Sequence, residues 1–71
     1  MRYTKKRNNF YMIVNPNECW DLNVNTGVIR KITNGRQIEA IAEFEESDKD
    51  SYLQAHSTCL KISKQNFKLA V

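Results

Sequence analysis

The chain has 71 residues and a formal net charge of +3, and 41% of its residues are hydrophobic. A domain of this size buries only about 60% of the surface that its unfolded chain exposes, which argues against an enclosed enzyme cleft. Its N-terminal apolar run, residues 10–14, is shorter than the core of a signal peptide and far shorter than a membrane-spanning helix. We therefore expect one small domain over residues 1–71, located in the cytoplasm and not bound to membranes.

Asparagine-rich turn signals divide the first 35 residues into short strands. Asparagine side chains hydrogen-bond to nearby backbone and tolerate left-handed conformations, so asparagine gathers in turns. The first strand is predicted at residues 10–14, between two of these signals. The four signals lie at Asn8-Asn9, Asn15-Pro16-Asn17, Asn25-Thr26-Gly27 and Asn34-Gly35.

A second strand is predicted at residues 19–24, where apolar and polar residues alternate so that the apolar ones share a face. Gly27 suits the left-handed third position of a three-residue hairpin loop, which makes residues 28–33 the third strand. The register of this hairpin pairs Val24 with Val28, Leu22 with Arg30, Trp20 with Ile32 and Asp21 with Lys31.

The Asn34-Gly35 pair is the strongest short hairpin signal, because a type I′ turn needs positive φ at both central positions. The segment that follows, residues 37–44, alternates as a strand would. It is also rich in helix-forming residues, and its apolar positions fit helical spacing as well. We favour the strand, because residues 28–33 need a pairing partner, and keep the helix as the alternative.

Ser47 and Asp50 have the spacing of a capping box, which predicts a helix over residues 48–57. Residues 58–63 alternate again and are interpreted as a strand. Residues 66–71 place Phe67, Leu69 and Val71 on one side and could form a short sixth strand. The predicted fold class is α+β: a small antiparallel sheet of four to six strands, meander-like in its N-terminal part, with one helix near residues 48–57 packed on one face. In this interpretation the helix residues that point partly toward the sheet are Tyr52, Leu53, Ala55 and His56.

The sequence carries no catalytic, cofactor or metal-binding motif, so we expect no enzymatic activity, no cofactor and no metal. His56 is the only histidine, and with Cys59 it would form at most a thiolate–imidazole pair or half of a metal site. An enzyme that uses these two residues is the remaining catalytic alternative. Cys19 and Cys59 are the only cysteines, and without a signal peptide they are expected to be free thiols.

Charge is segregated along the chain. Residues 1–36 carry seven basic and two acidic residues, whereas residues 37–57 carry one basic and six acidic residues. Such segregation predicts one positive and one negative surface, which steer partners electrostatically. The two regions could instead neutralise each other within the fold, for example by pairing Arg30 with Glu39.

From this pattern we expect a small binding module that regulates or inhibits a larger macromolecule, with a protein as its first expected partner. A compact acidic face can occupy a basic groove on that partner without any catalytic residue. The small size is also typical of accessory proteins, including those of phages and mobile elements. The residues assigned to the acidic face are Glu43, Glu45, Glu46, Asp48, Asp50 and Tyr52.

A nucleic-acid-binding protein, for single strands or duplexes, is the alternative function. Basic groups contact phosphates while aromatic rings stack on bases, and the N-terminal part of the chain offers both. A homodimer is also left open, because an exposed edge strand such as residues 10–14 can pair with its copy. The candidate nucleic-acid-binding residues are Lys5, Lys6, Arg7, Tyr11, Arg30, Lys31 and Arg36.

Overall fold

A computed structural model describes the backbone of residues 1–70 and the side chains of residues 1–65. Its five strands form one antiparallel sheet in the order β4-β3-β2-β1-β5, and two helices accompany it. The predicted α+β class with a small antiparallel sheet is confirmed. The elements are β1 Arg2–Lys6, β2 Asn9–Asn15, β3 Glu18–Asn23, β4 Ile29–Ile32, α1 Gly35–Ala42, β5 Glu45–Glu46 and α2 Lys49–Ala70.

Strands β1 to β4 form the predicted meander, although its first strand differs from the prediction. Strand β1 was missed, because its basic residues concealed a short alternation in which Thr4 is fully buried. It joins β2 through a tight turn in which Arg7 has a positive φ of 55°. The predicted strands at residues 10–14 and 19–24 correspond to β2 and β3 and are confirmed.

The two faces of the sheet carry separate apolar clusters, and each is covered by one helix. On the face that we call the α1 face, Tyr11 and Cys19 pack against Ile38 and Ile41 of α1. On the opposite face, the α2 face, Leu22 packs against residues of α2. The prediction of one helix on one face was therefore incomplete, since a second helix covers the other face. The α2 residues buried against Leu22 are Tyr52, Ala55 and Cys59.

Helix α1 replaces the predicted strand at residues 37–44, so that prediction was wrong. The Asn34-Gly35 pair does not form a hairpin turn but starts this helix. The Asn34 side chain accepts hydrogen bonds from the backbone N–H groups of Arg36 at 3.0 Å and Gln37 at 3.1 Å. Asparagine is as good an N-cap as it is a turn residue, and the helical spacing of Ile38 and Ile41 then buries one side of the helix.

Helix α2 is much longer than predicted. Asp48 caps it rather than Ser47, because the Asp48 carboxylate accepts a hydrogen bond from the Ser51 backbone N–H at 2.7 Å. The helix then continues through residues 58–63, so the strand predicted there was wrong. It also runs through residues 66–70, which corrects the last predicted strand. The side-chain arrangement predicted for Phe67, Leu69 and Val71 lies outside the described side chains, as does the backbone of Val71.

The β3–β4 hairpin has a register one residue away from the predicted one. Asn23 causes the difference, because its side-chain oxygen accepts hydrogen bonds from the backbone of Asn25 and Thr26 and so organises a four-residue turn. Gly27 closes this turn with the predicted positive φ, at 80°. The observed pairs are Leu22 with Ile29, Asp21 with Arg30, Trp20 with Lys31 and Cys19 with Ile32.

The two cysteines are free thiols, as expected. Cys19 belongs to the cluster under α1 and Cys59 to the cluster under α2, so the sheet separates them. Within residues 1–70, no helix has both the length and the apolar character needed to cross a bilayer.

Replacing Gly27 by alanine should lower the free energy of unfolding by about 2–4 kcal/mol. An added Cβ would lie 2.8 Å from Cγ2 of Ile62, and the left-handed backbone would be strained as well. Gly35→Ala is the matched control, because a Cβ there meets only the Pro16 carbonyl at 3.7 Å. Urea denaturation of both variants measures the difference, and an equal loss in the two would contradict the described turn.

The pH dependence of stability should contain a contribution from Asp48. Hydrogen bonds from the side chain and the backbone N–H of Ser51 lower the pKa of Asp48 below its ordinary value of 3.8. A lowered pKa means that the ionised cap stabilises the folded state above pH 3.8 and loses this effect as the pH falls through the folded-state pKa. Asp48→Asn keeps a capping oxygen without the charge, so its unfolding free energy should fall less between pH 6 and pH 3 than that of the wild type. Identical pH profiles would contradict a contribution of the ionised Asp48 carboxylate to stability.

Candidate binding surfaces

Five carboxylates surround the edge strand β5 and form what we call the acidic ridge. All of them are exposed, and the elements that carry them are the C-terminal end of α1, β5 and the start of α2. Strand β5 is the outer strand of the sheet beside β1, which keeps the ridge at one margin of the molecule. The ridge consists of Glu43, Glu45, Glu46, Asp48 and Asp50.

Part of the ridge charge is offset by the basic strand β1. Glu45 lies opposite Lys5 in the sheet, and the Glu46 carboxylate is 3.8 Å from the Arg2 guanidinium. Both members of the second pair are largely exposed, so it stabilises the fold little. Among the side chains of residues 1–65, Glu46 is the one ridge member with an ion-pair partner. Most of the ridge charge therefore remains directed at solvent.

Tyr52 was assigned to the acidic face, but in the structure its side chain is buried between α2 and the sheet. Its side chain is 6% exposed, and its ring lies 5.5 Å from the ring of Tyr3. Burial raises the pKa of Tyr52 to about 12. Its phenol ring belongs to the packing between α2 and the sheet and does not extend into the ridge.

The candidate nucleic-acid residues do not gather on one surface. Strand alternation places Lys5 and Lys31 on the α2 face but Lys6 and Arg30 on the α1 face. Tyr11 is 9% exposed under α1, so its ring is not open to stack on a base. Of the remaining two candidates, Arg7 lies in the β1–β2 turn and Arg36 in the first turn of α1.

Arg30 is engaged in a polar cluster on the α1 face rather than free for a ligand. Its guanidinium donates to the Asp21 carboxylate at 2.7 Å, and the Asn9 amide donates to the other carboxylate oxygen at 2.8 Å. Asp21 is 3% exposed, whereas the Arg30 side chain is 65% exposed. The hydrogen bond and charge of Asp21 raise the pKa of Arg30 further above its usual range. This pair replaces the pairing of Arg30 with Glu39 considered from the sequence.

An apolar groove runs between α2 and the β4 side of the sheet. It has a volume of about 370 Å³ and was not anticipated, because the helix predicted from the sequence was too short and the sequence did not predict which strands it covers. The sequence feature that indicates this groove is the alternation that places large apolar residues of three adjacent strands on one face of the sheet. The lining residues are Met12, Trp20, Ile29, Tyr52, Leu53 and His56.

Trp20 is held at the groove by polar contacts at its rim. The indole N–H donates to the Glu18 carboxylate at 3.2 Å, and the Lys31 ammonium lies 5.9 Å from the ring centroid. The Trp20 ring is therefore fixed in orientation while remaining partly open to solvent. On the helix side, Leu53 is 50% exposed. Tryptophan is enriched among the residues that contribute most to the binding energy of protein contact surfaces.

The thiols do not have the environment of nucleophiles. Burial raises the pKa of the Cys19 thiol to about 11 and also raises that of Cys59, whose thiol contacts the Asn23 carbonyl at 3.4 Å. A thiol with a raised pKa stays protonated at neutral pH and reacts slowly. Within residues 1–65, no three His, Cys, Asp or Glu side chains lie close enough together to hold a metal ion.

Removing the Arg30 guanidinium should destabilise the fold more than removing a neighbouring charge. In Arg30→Met the buried Asp21 carboxylate keeps only the Asn9 amide, so we expect a loss of about 1–3 kcal/mol in unfolding free energy. Lys31→Met is the control, because Lys31 is exposed on the other face of the same strand, and it should change stability by less than about 0.5 kcal/mol. Equal effects of the two substitutions in thermal or urea unfolding would show that Asp21 does not depend on Arg30.

Comparison of the chain with protein-family models, with curated proteins and with solved structures gave no match.

Proposed function

We infer that the protein is a small binding module without catalytic activity, which regulates a larger macromolecule by attaching to a basic surface of a partner protein. The acidic ridge is the contact. Five carboxylates concentrate negative charge at one margin of the sheet, and all five residues are exposed to solvent. Such a surface attracts a basic partner over a distance of roughly a Debye length, about 8 Å at physiological salt.

The main support for this proposal is that the fold keeps the acidic residues together but separates the basic residues. The acidic residues are neighbours in the chain and remain neighbours in space around β5. The basic residues form two separate groups in the chain, within residues 2–7 and 30–36, and strand alternation distributes them over both faces of the sheet. The protein thus has one concentrated negative surface and no equally concentrated positive one among the described residues.

The same observation weighs against nucleic acid as the partner. A strand of nucleic acid would have to contact basic side chains on two opposite faces of a sheet, and its backbone would meet the ridge at the margin. Tyr11 offers no open ring for stacking. If nucleic acid is the partner, the binding affinity should fall steeply with salt concentration and should depend on Lys5 and Lys31 or on Lys6.

Exchanging two ridge charges should abolish partner binding without unfolding the protein. We expect the double variant Glu43→Lys/Glu45→Lys to lose capture of the specific proteins that immobilised wild-type protein retains from a lysate of its source cells at low salt. Quantitative mass spectrometry measures the captured proteins, and circular dichroism checks the fold. The variant leaves Asp48 and Asp50 intact, so the cap of α2 is preserved.

Glu39→Lys is the matched control, because Glu39 is an exposed acid on α1 outside the ridge. It should retain the wild-type partners. Equal capture by the double variant and the wild type would contradict the ridge as the contact. A parallel titration of labelled single-stranded and duplex DNA at about 50 and 200 mM salt tests the alternative, and salt-sensitive micromolar binding that survives the ridge exchange would favour nucleic acid.

A further inference from the structure

Strand β4 forms one edge of the sheet, and half of its backbone groups point away from its neighbour β3. The Asn23 N–H donates to the Val28 carbonyl at 2.9 Å, which makes these two residues a hydrogen-bonded pair of the β3–β4 ladder. Hydrogen-bonded and non-hydrogen-bonded pairs alternate along an antiparallel ladder, so every second residue from Val28 onward directs its backbone groups at β3. The N–H and C=O groups of the intervening residues, Ile29 and Lys31, therefore point outward.

Nothing in the described part of the chain closes this edge. Within residues 1–65, no turn, loop or cap makes a backbone hydrogen bond to Ile29 or Lys31. The helices pack on the faces of the central strands, α1 on β1 to β3 and α2 on β2 and β3. Two outward donors and two outward acceptors, repeated every second residue, are the template on which a further strand pairs.

The side chains along this edge are cationic on both faces. Arg30 lies on the α1 face and Lys31 on the α2 face, and both are exposed. Asp21 offsets the charge of Arg30 in part, whereas Lys31 has no ion-pair partner among the side chains of residues 1–65. A cavity of about 290 Å³ adjoins Arg30 and Lys31 between β4 and the first turn of α1, and no acidic side chain is among its described lining residues. A side chain that enters this cavity from an added strand therefore meets positive charge.

We propose that this edge takes up an extended segment of a partner protein, which adds to the sheet as a sixth strand beside β4. Two consecutive acidic residues of the segment lie opposite Arg30 and Lys31. Apolar residues lie opposite Ile29 and Ile32, because an added strand repeats the alternation of its neighbour. Main-chain hydrogen bonds supply the attachment, and the alternating side chains supply the selectivity. The site is separate from the ridge, since β4 and β5 are opposite edges of the sheet.

The charges on β4 argue against a second copy of β4 as the occupant. In a two-fold antiparallel pair, outward residues must face outward residues, which leaves two registers that use the whole strand. One register sets Lys31 opposite Lys31 of the second copy, and the other sets Arg30 opposite Arg30 of the second copy. Like charges directly opposite each other destabilise a strand pair. Strand β5 of another copy has acidic side chains but only two residues, too few to pair along β4.

A blocked hexapeptide with the sequence Thr-Val-Glu-Glu-Val-Thr is the probe for this site. It places its two glutamates opposite Arg30 and Lys31 in either strand direction. Trp20 is the only tryptophan, and its ring centroid lies 5.9 Å from the Lys31 ammonium, so its fluorescence reports binding. We expect a dissociation constant below about 1 mM at low salt, which rises as salt screens the charges. The same peptide with lysines in place of the glutamates should bind at least about tenfold more weakly.

Substitutions at position 31 separate the charge from the backbone hydrogen bonds. Lys31→Val removes the charge and keeps the outward N–H, whereas Lys31→Pro also removes the N–H without breaking any bond of the β3–β4 ladder. The glutamate peptide should bind Lys31→Pro at least about tenfold more weakly than Lys31→Val. Lys61→Val is the matched control, because Lys61 is exposed on α2, and its affinity should stay within about twofold of the wild type. Circular dichroism checks the fold of each variant.

A peptide that is N-methylated at alternate residues tests the same hydrogen bonds with the wild-type protein. One of the two methylation patterns should lose binding, because it removes the donors that face β4, whereas the other pattern should retain it. This comparison does not depend on how any variant folds.

Four results would overturn this proposal. The glutamate peptide could fail to bind, or the glutamate and lysine peptides could bind equally. The backbone changes, Lys31→Pro and both methylation patterns, could leave the affinity unaltered. Sedimentation equilibrium could show that the wild type forms open-ended oligomers, which would assign the edge to β5 of another copy. No substitution here alters a ridge carboxylate, and the ridge experiment alters no residue of β4, so either proposal can fail while the other holds.

Discussion

Alternation along the two central strands β2 and β3 is the constraint on which the rest of the structure depends. It places Tyr11 and Cys19 on one face of the sheet and Met12 and Leu22 on the other, so both faces carry apolar side chains. An antiparallel sheet with two apolar faces has to be covered on both sides. The chain supplies the short helix α1 for one face and the long helix α2 for the other. The unequal cover that results leaves the groove on one face and the polar cluster around Asp21 on the other.

Strands β2, β3 and β4 and one helix-covered face of the sheet could be predicted from the sequence, because alternation and turn residues determine them locally. The remaining differences between prediction and structure come from residues whose local preferences fit two kinds of secondary structure equally well. Asn34 is suited to a turn and to a helix cap, and only the apolar cluster under α1 decides between them. Residues 58–63 alternate as a strand would, but Cys59 also continues the helical period of Ala55, and burial against Leu22 selects the helix.

The candidate surfaces were less accessible to sequence reasoning, because they depend on which strands become neighbours. The acidic stretch could be recognised from the chain, yet its place beside the basic strand β1 follows from a strand order that no local pattern predicts. Similarly, the sequence does not show which basic side chains share a face, because only the register of β4 places Arg30 beside Asp21 and Lys31 beside Trp20. A prediction of the groove would have required both the length of α2 and the register of the β3–β4 hairpin, and neither was predicted correctly from the sequence.

The ridge and the groove approach each other at the first turns of α2, although the strands beneath them lie toward opposite margins of the sheet. Met12, Trp20 and Ile29 belong to strands β2, β3 and β4, whereas the ridge surrounds β5. Asp50 of the ridge lies one helical turn before Leu53, which lines the groove. Contacts between exposed charges are individually weak and sensitive to salt. The strength of a contact through the ridge therefore depends on the number of carboxylates that the fold holds together around β5.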